Sequence, residues 1–198
     1  MSDSKCDAEP LEAYKRPKPC RAGRQVIFAF AEKIALALNL KTGDDLEKLV
    51  AQRLPGKIEN LPGSKKQEKA SITVKSGGDF IIRLFSSLFP LPLQRRMSVA
   101  HELGHFFLHS RYGEEELEAF CDAEDEDEAA EKEASEFARA FLVPTALLNK
   151  AVDCFGRDSI QVAAHFMVPE SVARQRMVDI GRVPESVARQ RMVDIGRR

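Results

Sequence analysis

Three features of this chain predict an α+β fold, with a small antiparallel sheet packed on a metal-binding helix and further helices around it. Helical periodicity recurs in separated stretches, a pair of alternating strands lies between them, and Val99–His109 gathers three of the four histidines. At 198 residues and 43% hydrophobic content, the chain can bury a substantial core in one domain. A formal net charge of −1 gives no general attraction to nucleic acid or anionic membranes.

Residues 1–23 read as a mobile basic tail, with Lys15, Arg16, Lys18 and Arg21 set among Pro17 and Pro19. One domain is expected over 24–182. Its first helix is predicted over Gln25–Leu40, where Ile27, Phe30, Ile34 and Leu38 recur at helical spacing. A second runs over Asp44–Leu54 and stops at Pro55-Gly56. Lys57–Glu59 can form a short strand. Ser71–Lys75 and Asp79–Phe85 alternate in character about the turn Ser76-Gly77-Gly78, the pattern of a hairpin. Pro90 and Pro92 close off the sheet, and a helix is expected from near Leu93 or Gln94 through His109.

An acidic insertion at about 114–128 reads as solvated surface; it lacks the central Gly and final Glu of a calcium loop. Helix resumes over Glu128–Leu142, with Ala134, Phe137, Ala138 and Phe141 facing inward, and Pro144 ends it. Shorter helices are expected over Thr145–Ala151, over Ser159–His165 and from Pro169. Residues 183–197 repeat 168–182 identically. Working solenoid repeats diverge and come in threes or more, so 183–198 reads as an accessory or artefactual duplication, dispensable for folding and activity.

Four cysteines, Cys6, Cys20, Cys121 and Cys154, show no C-x-x-C spacing and suit a reducing compartment. The polar, acidic start Met1–Pro10 lacks a signal-peptide layout, and Phe80–Leu93 is broken by Arg83 and two prolines. A soluble cytoplasmic protein is expected.

The chemistry concentrates in His101-Glu102-Leu103-Gly104-His105. Helix positions i and i+4 share a face, so His101 and His105 can converge on one metal, and Glu102 beside them can take a proton from bound water. A catalytic zinc needs a third protein ligand. A histidine six residues after His105 would supply it in one known spacing, but Arg111 stands there. His109 lies about 12 Å of helical rise from His101, which favours a role supporting a ligand over a role as one. A glutamate from the helix after the acidic stretch remains. Glu131 is favoured because Ala134 and Ser135 share its face, Ala134 allowing close helix approach and Ser135 able to orient a ligand histidine. Glu133 is the alternative, and Glu136 is expected in solvent.

Arg96 to His105, then Leu108-His109, then E-x-x-A-x-x-F-A-x-x-x-L-x-P over Glu131–Pro144, resemble the ImmA/IrrE family of metallopeptidases. The preceding hairpin and the run from Phe166 to Arg176 also fit its layout, and the likeness covers about 25–182. The resemblance implies a minimal gluzincin-like fold, Zn2+ held by His101, His105 and Glu131, and Glu102 as catalytic acid/base. It further implies an endopeptidase that cuts a partner repressor of the Xre helix-turn-helix type and relieves transcriptional repression. Met97 and Ser135 depart from the residues common in the family at those places.

On this reading zinc polarises the scissile carbonyl and its water, and Glu102 moves the proton to the leaving amine. Tyr112, Arg111 and His165 are the candidate oxyanion donors, and Asp79–Phe85 is expected as an edge strand that pairs with substrate backbone. Two rival readings stand. One is a non-catalytic, zinc-stabilised regulatory or partner-binding protein, toxin–antitoxin-like or a mobile-element regulator. The other is direct DNA binding by the C-terminal helices through Arg174 and Arg176, which is disfavoured against packing onto the domain.

Overall fold

Seven helices and four strands follow one another in the computed structural model, which describes residues 15–62, 70–85, 92–120 and 127–184. Helices α1 (Arg24–Ala37) and α2 (Leu46–Arg53) precede strands β1 (Gly56–Leu61), β2 (Ala70–Val74) and β3 (Phe80–Phe85). Helix α3 (Pro92–Gly104) runs into a wider turn at His105–His109. Then come β4 (Leu117–Phe120), α4 (Glu128–Leu142), α5 (Thr145–Phe155), α6 (Ser159–Phe166) and α7 (Glu170–Asp179). The α+β class is as expected.

The sheet is more mixed than the sequence suggested. Its order is β1-β3-β2-β4, with β1 parallel to β3 and the other two pairs antiparallel. The expected hairpin of β2 and β3 is present, with Ile72 opposite Ile82 and Val74 opposite Phe80. Asp79–Phe85 is not an edge, because β3 lies between β1 and β2; β1 and β4 are the outer strands. Strand β4 falls inside the stretch read as solvated acidic insertion. Leu117 and Ala119 turn inward while Glu118 accepts a bond from the Thr73 hydroxyl at 3.1 Å. The rest of that insertion, 121–126, lies outside the described residues.

One face of the sheet buries Ile72, Val74, Phe80, Ile82 and Leu84 against α3. Helix α4 packs between α3 and α1. Its buried stripe contains Ala134, Phe137, Ala138 and Phe141, as read from the sequence, and Asp127 caps its start by accepting from the Ala129 N–H at 2.9 Å. The stripe of α1 is rotated from the expected one: Ile27, Phe28, Ala31 and Ala35 are fully buried, while Phe30, Ile34 and Leu38 sit at its margin. Small alanines let α1 lie close to α4, a choice that hydrophobic periodicity alone does not reveal.

The C-terminal helices pack onto the domain. Arg176 of α7 is wholly buried; it donates to the Val143 carbonyl at 3.1 Å, pairs with Glu32 at 3.0 Å and lies 4.5 Å over the Phe28 ring. Arg174 pairs with Glu170 at 3.0 Å. Arg176 is therefore not available to a phosphate. Val183, first residue of the duplicate, is buried with its N–H on the Met177 carbonyl; 185–198 lie outside the described residues. No helix among the described residues is long and apolar enough to cross a membrane.

The start of the described chain is tied down. The Lys15 carbonyl accepts from the Glu118 N–H at 3.0 Å, on the outer side of β4. The Cys20 and Arg21 N–H groups each donate to Glu133 at 2.8 Å. Residues 15–23, part of the stretch read as a mobile tail, thus run from the sheet edge to α4; residues 1–14 lie outside the described residues.

Candidate metal centre

Helix α3 is buried along its last turn, from Val99 to Gly104. Beyond Gly104 it widens, and the Ser110 N–H donates to the His105 carbonyl five residues back at 3.1 Å. Aromatic contacts hold this wide turn: Phe106 on Phe80 with ring centres 4.4 Å apart, and Phe107 stacked on Phe137 at 5.6 Å. Across the interface Gly104 meets Ala134 of α4 so closely that a Cβ added at Gly104 would lie 2.9 Å from the Ala134 Cα. The approach brings the start of α4 over the histidines.

There the Glu131 carboxylate meets both rings. Oε2 lies 3.0 Å from His101 Nε2 and Oε1 lies 3.0 Å from His105 Nε2, while the two Nε2 atoms are 3.2 Å apart. Donor atoms on a tetrahedral zinc with bonds of about 2.0–2.1 Å stand about 3.3 Å from one another, so the set fits a single small divalent ion. Among the described residues, this trio forms the group able to hold a metal. Burial drives the His105 imidazole down to about 4, keeping it neutral as a ligand must be. Burial would raise the Glu131 carboxyl, but its close contacts with the His101 and His105 rings outweigh burial and hold the group well below the usual carboxylate range.

Glu102 follows His101 on α3 and is wholly buried. Ser135 Oγ lies 3.3 Å from His101 Nδ1. His109 Nδ1 lies 3.0 Å from His105 Nδ1, and its Nε2 is 3.1 Å from Glu133 Oε2. Glu133 thus faces away from the trio and toward His109. The wide turn makes this possible, since it keeps the rings of His101, His105 and His109 in sequential contact at centroid spacings of 4.9 and 5.0 Å.

One expectation needs correction. Glu136 is buried, not solvated, because Arg24 reaches it from α1 at 2.9 Å. Arg111 pairs with Glu115 on the surface, Tyr112 lies on the Phe106 and Phe107 rings, and His165 lies on Phe155 and Phe166. None of the three is bonded to the His101–His105–Glu131 group among the described residues. Sequence reasoning missed the part played by Cys20 and Arg21, whose contribution is mainly backbone N–H, joined by the Cys20 thiol. The chain's own signal for Glu133 was the H-x-x-x-H-x-x-x-H ladder, which places His109 one turn beyond His105 and in need of a partner.

Two histidines of an H-E-x-x-H helix meet a glutamate from a later helix on an α+β frame, the arrangement that a gluzincin-like metal site would have. Residues 91–178 match the family model of the IrrE N-terminal-like domain of the M78 peptidases. A curated relative, the metallopeptidase ImmA of Bacillus subtilis, is 36% identical over 84 residues, which are 42% of this chain and 48% of the relative. The match therefore spans about half the length of that relative. A solved structure of a Mycobacterium tuberculosis transcriptional regulator shares the fold at a TM-score of 0.56 and 18% identity, over 77% of this chain and 46% of the other.

Proposed function

We propose that the protein is a zinc-dependent endopeptidase that cleaves a partner repressor of the Xre helix-turn-helix type and so relieves transcriptional repression. The observation that carries this reading is the meeting of His101 Nε2, His105 Nε2 and the Glu131 carboxylate within 3.0–3.2 Å, one residue from a buried Glu102. His101, His105 and Glu131 are the metal ligands, and Glu102 is the catalytic acid/base. A zinc ion held there supplies Lewis acidity to a peptide carbonyl and to water.

The chain's own residues do the rest. Glu131, ionised, balances the ion's charge and leaves it one net positive charge to share with substrate. The neutral imidazoles present lone pairs instead of protons. Glu102 accepts a proton from the attacking water and returns it to the leaving nitrogen. His109 and Ser135 steady the two ligand rings from behind. The helices that carry these groups are rigid and packed, which suits a site whose geometry must hold within a fraction of an ångström.

The test incubates the zinc-loaded protein with the repressor-like product of a neighbouring gene, beside the Glu102→Gln variant. Cleavage by the parent and none by the variant supports the proposal. A partner that is bound and left intact by the parent replaces it with the non-catalytic, zinc-stabilised regulator. Duplex DNA retained in a salt-dependent way would point instead to direct binding.

A further inference from the structure

Behind the metal centre lies a second carboxylate that the proposed reaction does not use. Glu133 is buried, and every contact it makes is specific. Its Oε2 accepts from the Cys20 N–H at 2.8 Å and lies 3.1 Å from His109 Nε2, while its Oε1 accepts from the Arg21 N–H at 2.8 Å. Two consecutive backbone N–H groups on one carboxylate form an anion-binding nest, and Arg21 adopts a left-handed φ of 55° to make it. A non-glycine residue takes that conformation at a cost, so the arrangement is enforced by what it holds.

The hydrogen-bond logic then runs in one direction. A carboxylate only accepts, so His109 must donate from Nε2. A neutral His109 therefore carries no proton on Nδ1, which accepts. Its neighbour 3.0 Å away, His105 Nδ1, must be the donor. With its proton on Nδ1, a neutral His105 has a bare lone pair on Nε2, the atom that faces Glu131. Two lone-pair atoms 3.0 Å apart repel unless a cation or proton lies between them.

We infer that Glu133 is a positioning residue for the metal centre: held by the Cys20 and Arg21 N–H groups, it sets the tautomer and orientation of His105 through His109. This makes the stretch around Cys20 part of the site, through two peptide N–H groups and through the Cys20 thiol, which also bonds Glu133. The two ligand histidines are unequally supported. Among the described residues, His101 has behind it the Ser135 hydroxyl at 3.3 Å, whereas His105 has an imidazole, a carboxylate and two peptide groups in series.

The inference rests on His101, His105 and Glu131 being the metal ligands. Its test measures zinc affinity of the full-length chain by competition with a chromophoric chelator, in the parent and in Glu133→Gln, His109→Gln and Ser135→Ala. Loss of a supporting partner typically costs about 10–100-fold in metal affinity. Glu133→Gln and His109→Gln are expected in that range, and Ser135→Ala well below it. Nitrogen-15 spectra of the zinc-loaded parent should show His109 protonated on Nε2, with mixed His109 tautomers in Glu133→Gln. An unchanged zinc affinity in a folded Glu133→Gln, or a zinc-loaded parent whose His109 carries its proton on Nδ1, overturns the inference. If the variant fails to fold, the parent spectrum alone decides. A parent that binds no zinc overturns the ligand assignment, and this inference with it.

Discussion

Gly104 and Ala134 touch backbone to backbone, and that contact sets how near α4 comes to the histidines. A methyl at Gly104 would lie 2.9 Å from both the Cα and the carbonyl oxygen of Ala134, neither of which can swing aside as a side chain tip can. Gly104→Ala is expected to force α3 and α4 apart, destabilising the fold by about 1–3 kcal/mol as overpacked sites do. Because Glu131 rides on α4, zinc affinity should fall together with the melting temperature. Equal zinc affinity in the variant and the parent would separate the contact from the site.

Glu102→Gln keeps the size of the side chain and removes its basicity. It should bind zinc as the parent does and lose at least about 100-fold in cleavage rate, the lower end of what a positioned acid/base contributes. Metal content and turnover of the same preparation check both halves. Glu131→Gln should do the reverse, losing metal first.

Stability of the metal-free protein should fall as the solution is acidified from neutrality. Burial holds the folded His105 imidazole at about 4, against 6.5 for the free group. Between those values the unfolded chain binds more protons than the folded one, so stability rises with pH across that window and is complete above it. Glu131 acts in the same sense at lower pH: its folded carboxyl lies below the ordinary 4.5, so its contribution is present above that value and lost below it. Thermal melts in chelator between pH 7 and pH 4 check this, and His105→Gln should flatten the upper part of the curve.

The duplicated terminus complicates one otherwise simple experiment. Removing Arg176 leaves Glu32 and the Val143 carbonyl without their buried partner, a change expected to cost about 3–5 kcal/mol. Arg191 occupies the matching place in the second copy, so the substitution should be made at both positions. A chain ended after Pro184, by contrast, should melt and bind zinc as the full chain does. A large loss on that truncation would give the second copy a structural role.

Much of this was readable before any coordinates, and for a common reason. The bounds of α4, its buried stripe and the β2–β3 hairpin follow from local periodicity and turn chemistry, which favoured Glu131 and left Glu133 as the alternative. What escaped depends on contacts distant in sequence. Leu117–Phe120 becomes a strand only because β2 offers it a partner, and three glutamates just before it disguise the fact. Glu136 is buried because Arg24 arrives from α1 to pair with it. Ile58 and its neighbours pair in parallel with β3, which no hairpin rule anticipates. The anchoring of Cys20 and Arg21 rests on N–H groups 113 and 112 residues from Glu133 in sequence, which local patterns do not register.

The hydrogen bond from Glu118 to Lys15 means that an extended peptide seeking to lengthen the sheet at β4 meets a competitor already attached to the same molecule. A tethered segment of this kind acts at an effective concentration on the order of millimolar, so a weak visitor is turned away and a strong one must evict it. Eviction pulls on residues 16–19, and they lead straight to the peptide groups that grip Glu133. Any coupling between occupancy of the strand margin and stiffness of the imidazole series would by linkage be reciprocal.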